Sequence, residues 1–124
     1  MDSYYEGEWD NNLRQGTGKM YYCCKGETYE GQWLKNLRHG AGKLTSKDNS
    51  YITGTWENDK LKMKDVTHVD KDGNTYRGEV CTLPSGKVEK SGKGKICYQD
   101  GTTYEGGFKN GKKHGKGFVV DPEG

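Results

Sequence analysis

A single motif returning at near-constant intervals constrains this chain more than any other feature, because self-similarity at a period of about 20 to 50 residues marks a repeat architecture. Tyr5-x-Gly7-x-Trp9 recurs as Tyr29-x-Gly31-x-Trp33, then Ile52-x-Gly54-x-Trp56, Tyr76-x-Gly78-x-Val80 and Tyr104-x-Gly106-x-Phe108. Seven residues after the last member comes a glycine pair: Gly16-x-Gly18, Gly40-x-Gly42 and Gly115-x-Gly117. The fourth copy delays its pair to Gly92-x-Gly94, and the fifth copy starts late to match. One five-residue insertion within 81–91 accounts for both. The third copy has Met63 and Asp65 where its glycines belong, and the fourth has Val80 in place of a closing aromatic.

Other columns fall into the same register. Two residues past the glycine pair stand Met20, Leu44, Ile96 and Val119, all apolar. Three residues before each opening position stand Gly26, Asn49, Gly73 and Gly101, and three after the closing aromatic stand Asn12, Asn36, Asp59 and Gly111. These residue types tolerate positive φ, as tight turns require, and Asn11-Asn12 and Asn110-Gly111 suit type I′ hairpins. Each copy therefore reads as one β-hairpin. Period two places Tyr5, Gly7 and Trp9 on one face, and Glu6, Glu8, Glu30 and Gln32 on the solvated one. The units run approximately 5–25, 26–48, 49–72, 73–100 and 101–124, in one array over 1–124. No helix longer than two turns is expected within 5–117.

Composition says what must hold such a sheet together. Hydrophobic residues make up only 29% of the 124, and a compact domain ordinarily has 45–50%. Disorder is a poor account, since aromatics reach 11% and the net charge is only +2. Glycine between aromatics weakens a strand, so its presence implies room for rings to lie over bare backbone. The resulting fold class is all-β: an elongated single-layer antiparallel sheet of successive hairpins.

From Tyr5 to about Gly117 the chain resembles the MORN (membrane occupation and recognition nexus) repeat family, through its Y-x-G-x-W/F segments followed by G-x-G. The resemblance implies the elongated, twisted single sheet. It also implies a scaffold role at cytoskeletal structures such as ciliary axonemes, or at membrane junctions, and the acidic-phospholipid binding behind the family's name.

Catalytic and metal chemistry find no support. His39 and His114 share a column with Gln15 and Lys62, the pattern of a solvated turn edge, and His68 lies off the columns. Gly106 to Lys113 approximates a phosphate-binding loop but lacks its Ser/Thr and the strand-to-helix context. Cys23, Cys24, Cys81 and Cys97 have no C-x-x-C spacing and read as reduced thiols. No cofactor is expected and no enzyme is indicated. The sequence has no run of about 18 apolar residues and no apolar secretory leader at its start, and it reads as cytoplasmic. Gly124 falls in the inter-repeat turn column, so the array is expected to continue beyond it.

Charge is uneven. Residues 1–60 hold eight Lys/Arg against nine Asp/Glu, and residues 61–124 hold twelve against nine. Lys87, Lys90, Lys93, Lys95, Lys109, Lys112, Lys113 and Lys116 form a candidate surface for an acidic partner or anionic lipid. Arg14, Arg38 and Lys113 add a broken cationic stripe. The balance is too even for nucleic acid. The leading function is a non-catalytic protein-interaction scaffold, cytoskeletal or ciliary, holding an extended peptide or helix. Its candidate contacts are Tyr5, Trp9, Tyr29, Trp33, Trp56, Tyr104 and Phe108. The alternatives are a phosphoinositide-type lipid module or a regulatory arm of a larger enzyme.

Overall fold

A computed structural model describes residues 3–84 and 88–121, and every regular element among them is a β-strand. Lys87 and Gly124 lie outside the described residues, and so does the expectation placed on each. The chain forms two compact units, Met1–Lys62 and Met63–Gly124.

In the first unit β1 (Tyr4–Asp10), β2 (Leu13–Tyr22), β3 (Glu27–Leu34), β4 (Leu37–Thr45), β5 (Tyr51–Glu57) and the two-residue β6 (Lys60–Leu61) pair antiparallel in chain order. In the second, β7 (Val66–Val69), β8 (Thr75–Thr82), β9 (Val88–Cys97), β10 (Thr103–Lys109) and β11 (Lys112–Val120) do the same. Hairpins joined to hairpins need only short connections, which the turn columns supply. Asn11, Asn12, Lys35, Asn36, Asn58, Asp59, Asn110 and Gly111 all have φ between 48° and 79°, the paired left-handed geometry of type I′ turns. The inter-hairpin column, Gly26, Asn49, Gly73 and Gly101, is left-handed too, with φ of 65–92°.

The 11 strands belong to one antiparallel sheet, and each unit has its own core on one face of its strands. Tyr29, Trp33 and Trp56 are buried in the first unit, with Tyr5, Met20, Tyr22, Leu44 and Leu61 packed against them. Val66, Tyr76, Val80, Ile96, Tyr104 and Phe108 are buried in the second. Among the described residues no polar or charged residue is buried, so apolar and aromatic packing carries the fold.

Two places depart from the sequence pattern. Where the third glycine pair is missing, β6 stops after two residues and Asp65 takes φ 57°. Val66 then opposes Gly78 as Gly18 opposes Gly31, one residue later than the glycine column predicts. In the fourth hairpin the extra residues extend the ladder by one pair, Thr82 with Val88, beyond Cys81–Glu89, the equivalent of Asp10–Leu13.

Candidate functional site

The two glycines of each pair serve different needs. The first sits across from the next aromatic (Gly16 with Trp33, Gly40 with Trp56, Gly92 with Phe108) in a left-handed conformation, φ 86°, 82° and 78°. The second lies under a tyrosine ring: a Cβ on Gly42 would come within 2.3 Å of the Tyr29 hydroxyl, and one on Gly94 within 2.3 Å of that of Tyr76. Each tyrosine is held by a bulge. The register slips between Gly7 and Trp9, Gly31 and Trp33, Gly78 and Val80, and Gly106 and Phe108, which leaves one carbonyl outside the ladder. The tyrosine hydroxyl three residues earlier donates to it: Tyr5 to Glu8, Tyr29 to Gln32, Tyr76 to Glu79 and Tyr104 to Gly107. Burial pushes the Tyr29 and Tyr76 hydroxyls up to about 12.

The rings interlock edge to face, the arrangement the aromatic quadrupole favours. Trp9, Tyr5, Trp33, Tyr29 and Trp56 follow one another with centroids 5.0–5.5 Å apart and planes 65–88° inclined. In the second unit Tyr76, Phe108 and Tyr104 repeat the pattern at 5.1 and 5.3 Å. Trp33 also donates through Nε1 to the Gly18 carbonyl at 3.2 Å.

A column of cations caps these rings. Arg14, Arg38, Lys90 and Lys113 stand opposite Trp9, Trp33, Val80 and Phe108. Arg14 lies 4.8 Å from the Trp33 ring, Arg38 5.8 Å from Tyr29, Lys90 5.7 Å from Tyr76 and Lys113 4.9 Å from Tyr104. The arginines do more. The Arg38 backbone N–H and Nε both donate to Asp59 Oδ1, at 3.0 and 2.9 Å, and Nη2 donates to the Asp59 carbonyl at 2.9 Å. Arg14 clips Asn36 in the same way, at 2.8, 3.3 and 2.9 Å. Each guanidinium thereby ties its hairpin to the next turn. Partial burial opposes ionisation of Asp59, but hydrogen bonds from Arg38 and its charge outweigh that and hold the carboxyl below its usual range.

This bonding changes how the stripe of Arg14 and Arg38 reads. They are hairpin clips, and the turn residues Asn36 and Asp59 are their acceptors as well as turn formers. Glu8 and Glu79 are likewise more than solvated charge, accepting the backbone N–H of Thr17 and Lys93 beside the bulges, both at 3.3 Å. His39 is half-buried, and its Nδ1 is shielded without a partner, so the solvated-edge reading does not hold for it.

Of the candidate contact aromatics, Tyr29, Trp33, Trp56, Tyr104 and Phe108 are buried in the cores, Tyr5 is half-buried and Trp9 is 58% exposed. Buried rings cannot be the surface a partner touches; they hold the sheet together. The candidate lysines divide between two faces. Lys90 and Lys113 cap the tyrosines. Strand alternation puts Lys93, Lys95 and Lys116 on the other face, while Lys109 and Lys112 form the pair flanking the β10–β11 turn.

That other face of the second unit contains a hollow of about 640 Å³, with Arg77, Lys93, Lys116, Glu105 and Phe118 around it. Gly107 lines it together with Gly78, Gly94, Gly106 and Gly117. The Gly107 column holds Glu8, Gln32, Thr55 and Glu79 elsewhere, but here a Cβ would come within 2.3 Å of the His114 carbonyl oxygen. Phe118 stands 61% exposed beside the gap. Among the described residues no cluster of three or more His, Cys, Asp or Glu could hold a metal ion, and no helix is long and apolar enough to cross a membrane.

No curated protein matches the chain. The MORN repeat model matches residues 5–23, 29–51, 89–103 and 104–124. The matches pass over 52–88, which contains both departures from the glycine and aromatic columns. They cover more than half of the chain, so the chain belongs to the MORN repeat family.

Proposed function

We propose that this MORN repeat module is a non-catalytic scaffold that binds an acidic protein segment on the Lys93, Lys95 and Lys116 face of its second unit. The observation that carries the reading is the hollow at Gly107. Arg77, Lys93 and Lys116 surround it, Glu105 is the acidic residue beside them, and the exposed Phe118 adds an apolar contact. An extended acidic strand or helix with one apolar side chain fits that chemistry, with charge steering the encounter and the ring adding residence time. The family resemblance supports a cytoskeletal or ciliary setting in the cytoplasm, with the chain acting as an adaptor.

The lipid alternative is weaker because a flat membrane meets one face at a time. At about 1 kcal/mol per basic residue near an anionic leaflet, Arg77, Lys93, Lys95 and Lys116, opposed by Glu105, give weak attachment. Two charge-reversal variants separate the readings: Lys93→Glu with Lys95→Glu and Lys116→Glu, and Lys90→Glu with Lys113→Glu. Capture of a cytoskeletal-fraction protein, identified by mass spectrometry, should be lost in the triple variant and kept in the double. Equal capture by the triple variant would sink the proposal. Sedimentation with anionic vesicles at 0.15 M salt, abolished by the triple reversal, would promote the lipid reading.

A further inference from the structure

We propose that the Cys23–Cys24 turn is a thiol oxidation site, at which a hydroperoxide joins the two neighbouring sulfurs as a vicinal disulfide. The pair sits in the β2–β3 connection, a turn closed by the Gly26 N–H donating to the Tyr22 carbonyl at 3.0 Å, with Gly26 at φ 65°. The two Sγ atoms are 3.8 Å apart, and Cys24 is exposed. Both thiols border a hollow of about 380 Å³ whose wall also carries Lys25 and Lys47. That is ample room for a hydroperoxide in a positive setting.

The two sulfurs are not equivalent. The Ser3 hydroxyl donates to Cys23 Sγ at 3.3 Å and accepts the Cys23 N–H at 3.0 Å. Hydrogen bonds from Ser3 and then Cys24 lower the Cys23 thiol below its usual range, whereas the bond to Cys23 and its charge raise Cys24. Cys23 is therefore the richer in thiolate, the nucleophilic form, and Cys24 keeps its proton. Cys81 and Cys97 are strand residues, facing Glu89 and the Thr75/Thr103 pair across the ladder.

The chemistry balances. The Cys23 thiolate attacks the hydroperoxide; an S–O bond forms, the O–O bond breaks, and the alkoxide leaves as alcohol after taking a proton. The sulfur of Cys24 then displaces hydroxide from the Cys23 sulfenic acid; the S–S bond forms, and hydroxide leaves with the Cys24 proton as water. Two thiols lose two electrons, and the hydroperoxide gains them.

The test is hydrogen peroxide added to the folded chain near neutral pH, followed by alkylation and peptide mapping over time. The Cys23–Cys24 peptide should lose two hydrogens faster than Cys81 or Cys97 react, because a second sulfur 3.8 Å away traps the first oxidation product. In Cys24→Ser the sulfenic acid should persist at Cys23 and be captured by dimedone. Ser3→Ala should slow the first step severalfold while leaving the strand spectrum unchanged by circular dichroism. Equal rates at all four cysteines, or a disulfide joining two chains rather than one dipeptide, would overturn the proposal.

Discussion

Residues 1–62 and 63–124 build the same hairpin with different treatment of charge. The first half holds nine Lys/Arg against nine Asp/Glu, the second eleven against nine. Among the described residues the ion pairs of lysine and arginine (Lys19–Glu30 at 3.6 Å, Arg38–Asp59 at 2.9 Å, Lys62–Glu57 at 3.5 Å) lie in the first half. Across its outer face Glu6, Lys19, Glu30 and Lys43 alternate in sign from strand to strand. The matching row of the second half reads Arg77, Lys95, Glu105 and Phe118. On the ring face, arginine clipped to Asn36 or Asp59 gives way to Lys90, whose nearest turn position is Gly111 and offers only a backbone N–H, at 3.1 Å from the Lys90 carbonyl. The first half ties its arginines to its own turns, while in the second Lys90 and Lys113 cap tyrosine rings without such a clip. A repeat can thus keep its architecture while its charges change employment.

Substitutions can break that contrast. The largest effect is expected from Trp33→Ala, which removes a buried ring, two edge-to-face contacts and the Nε1 bond, a loss of about 3–5 kcal/mol. Phe118→Ala, at an exposed ring, should stay within about 0.5 kcal/mol. Chemical denaturation of the two variants reads the difference, and an unchanged midpoint for Trp33→Ala would show that the ring stack does not hold the first half together.

Arg38→Ala should cost about 2 kcal/mol, because it strips hydrogen bonds from a charged group and leaves Asp59 without its clip. Lys90→Ala, which removes a ring-capping amine, should cost well under 1 kcal/mol. Comparable losses would mean that both cations are structural and the halves do not differ. Transplanting the clip sharpens the point further. Lys90→Arg with Gly111→Asn rebuilds the arginine–asparagine pair where Gly111 has φ 79°, which asparagine tolerates, and where an added Cβ meets nothing within 4 Å. A double-mutant cycle should return about 1 kcal/mol of favourable coupling; zero coupling would show that the backbone of the β10–β11 turn cannot present the acceptor.

Alkaline titration should distinguish the halves least. Tyr29 and Tyr76, one in each, both have hydroxyls raised from 10.0 to about 12. A pKa raised by folding favours the neutral form in the native state. That contribution is intact below pH 10 and is lost as pH rises through 12. Melting temperature followed from pH 9 to 12 should fall over that window, and Tyr29→Phe and Tyr76→Phe should each flatten the fall to a similar degree.

Hairpin positions, turn types and the need for glycine beside tyrosine were legible in one dimension because each depends on backbone geometry over a few residues. Positive φ at Asn12, Asn36, Asp59 and Gly111 follows from turn chemistry alone, and strand alternation assigns Tyr5, Tyr29 and Tyr76 to one face. The bulge was less accessible: that the carbonyls of Glu8 and Gln32 leave the ladder to take tyrosine hydroxyls shows only once the strands are paired. The third hairpin misled by one residue, since nothing in the spacing of Met63 and Asp65 reveals that the chain resumes pairing at Val66.

The candidate site was less legible than the fold, for one physical reason: accessibility and pairing are properties of neighbours from other hairpins. The aromatic columns are regular in sequence, yet Trp9 is 58% exposed and Trp33 3% exposed, because the Tyr5 and Tyr29 rings both pack against Trp33. A run of lysines in sequence becomes two opposed faces as soon as a strand alternates. Gly107 is one glycine among twenty until the folded sheet places it in the lining of a hollow with Lys93, Lys116 and Phe118. Local backbone preference was enough to specify a row of hairpins. Which rings vanish into the core, which cations are clipped and where a hollow opens were settled by cross-strand packing, since each depends on residues distant in the chain that only the folded sheet brings within reach.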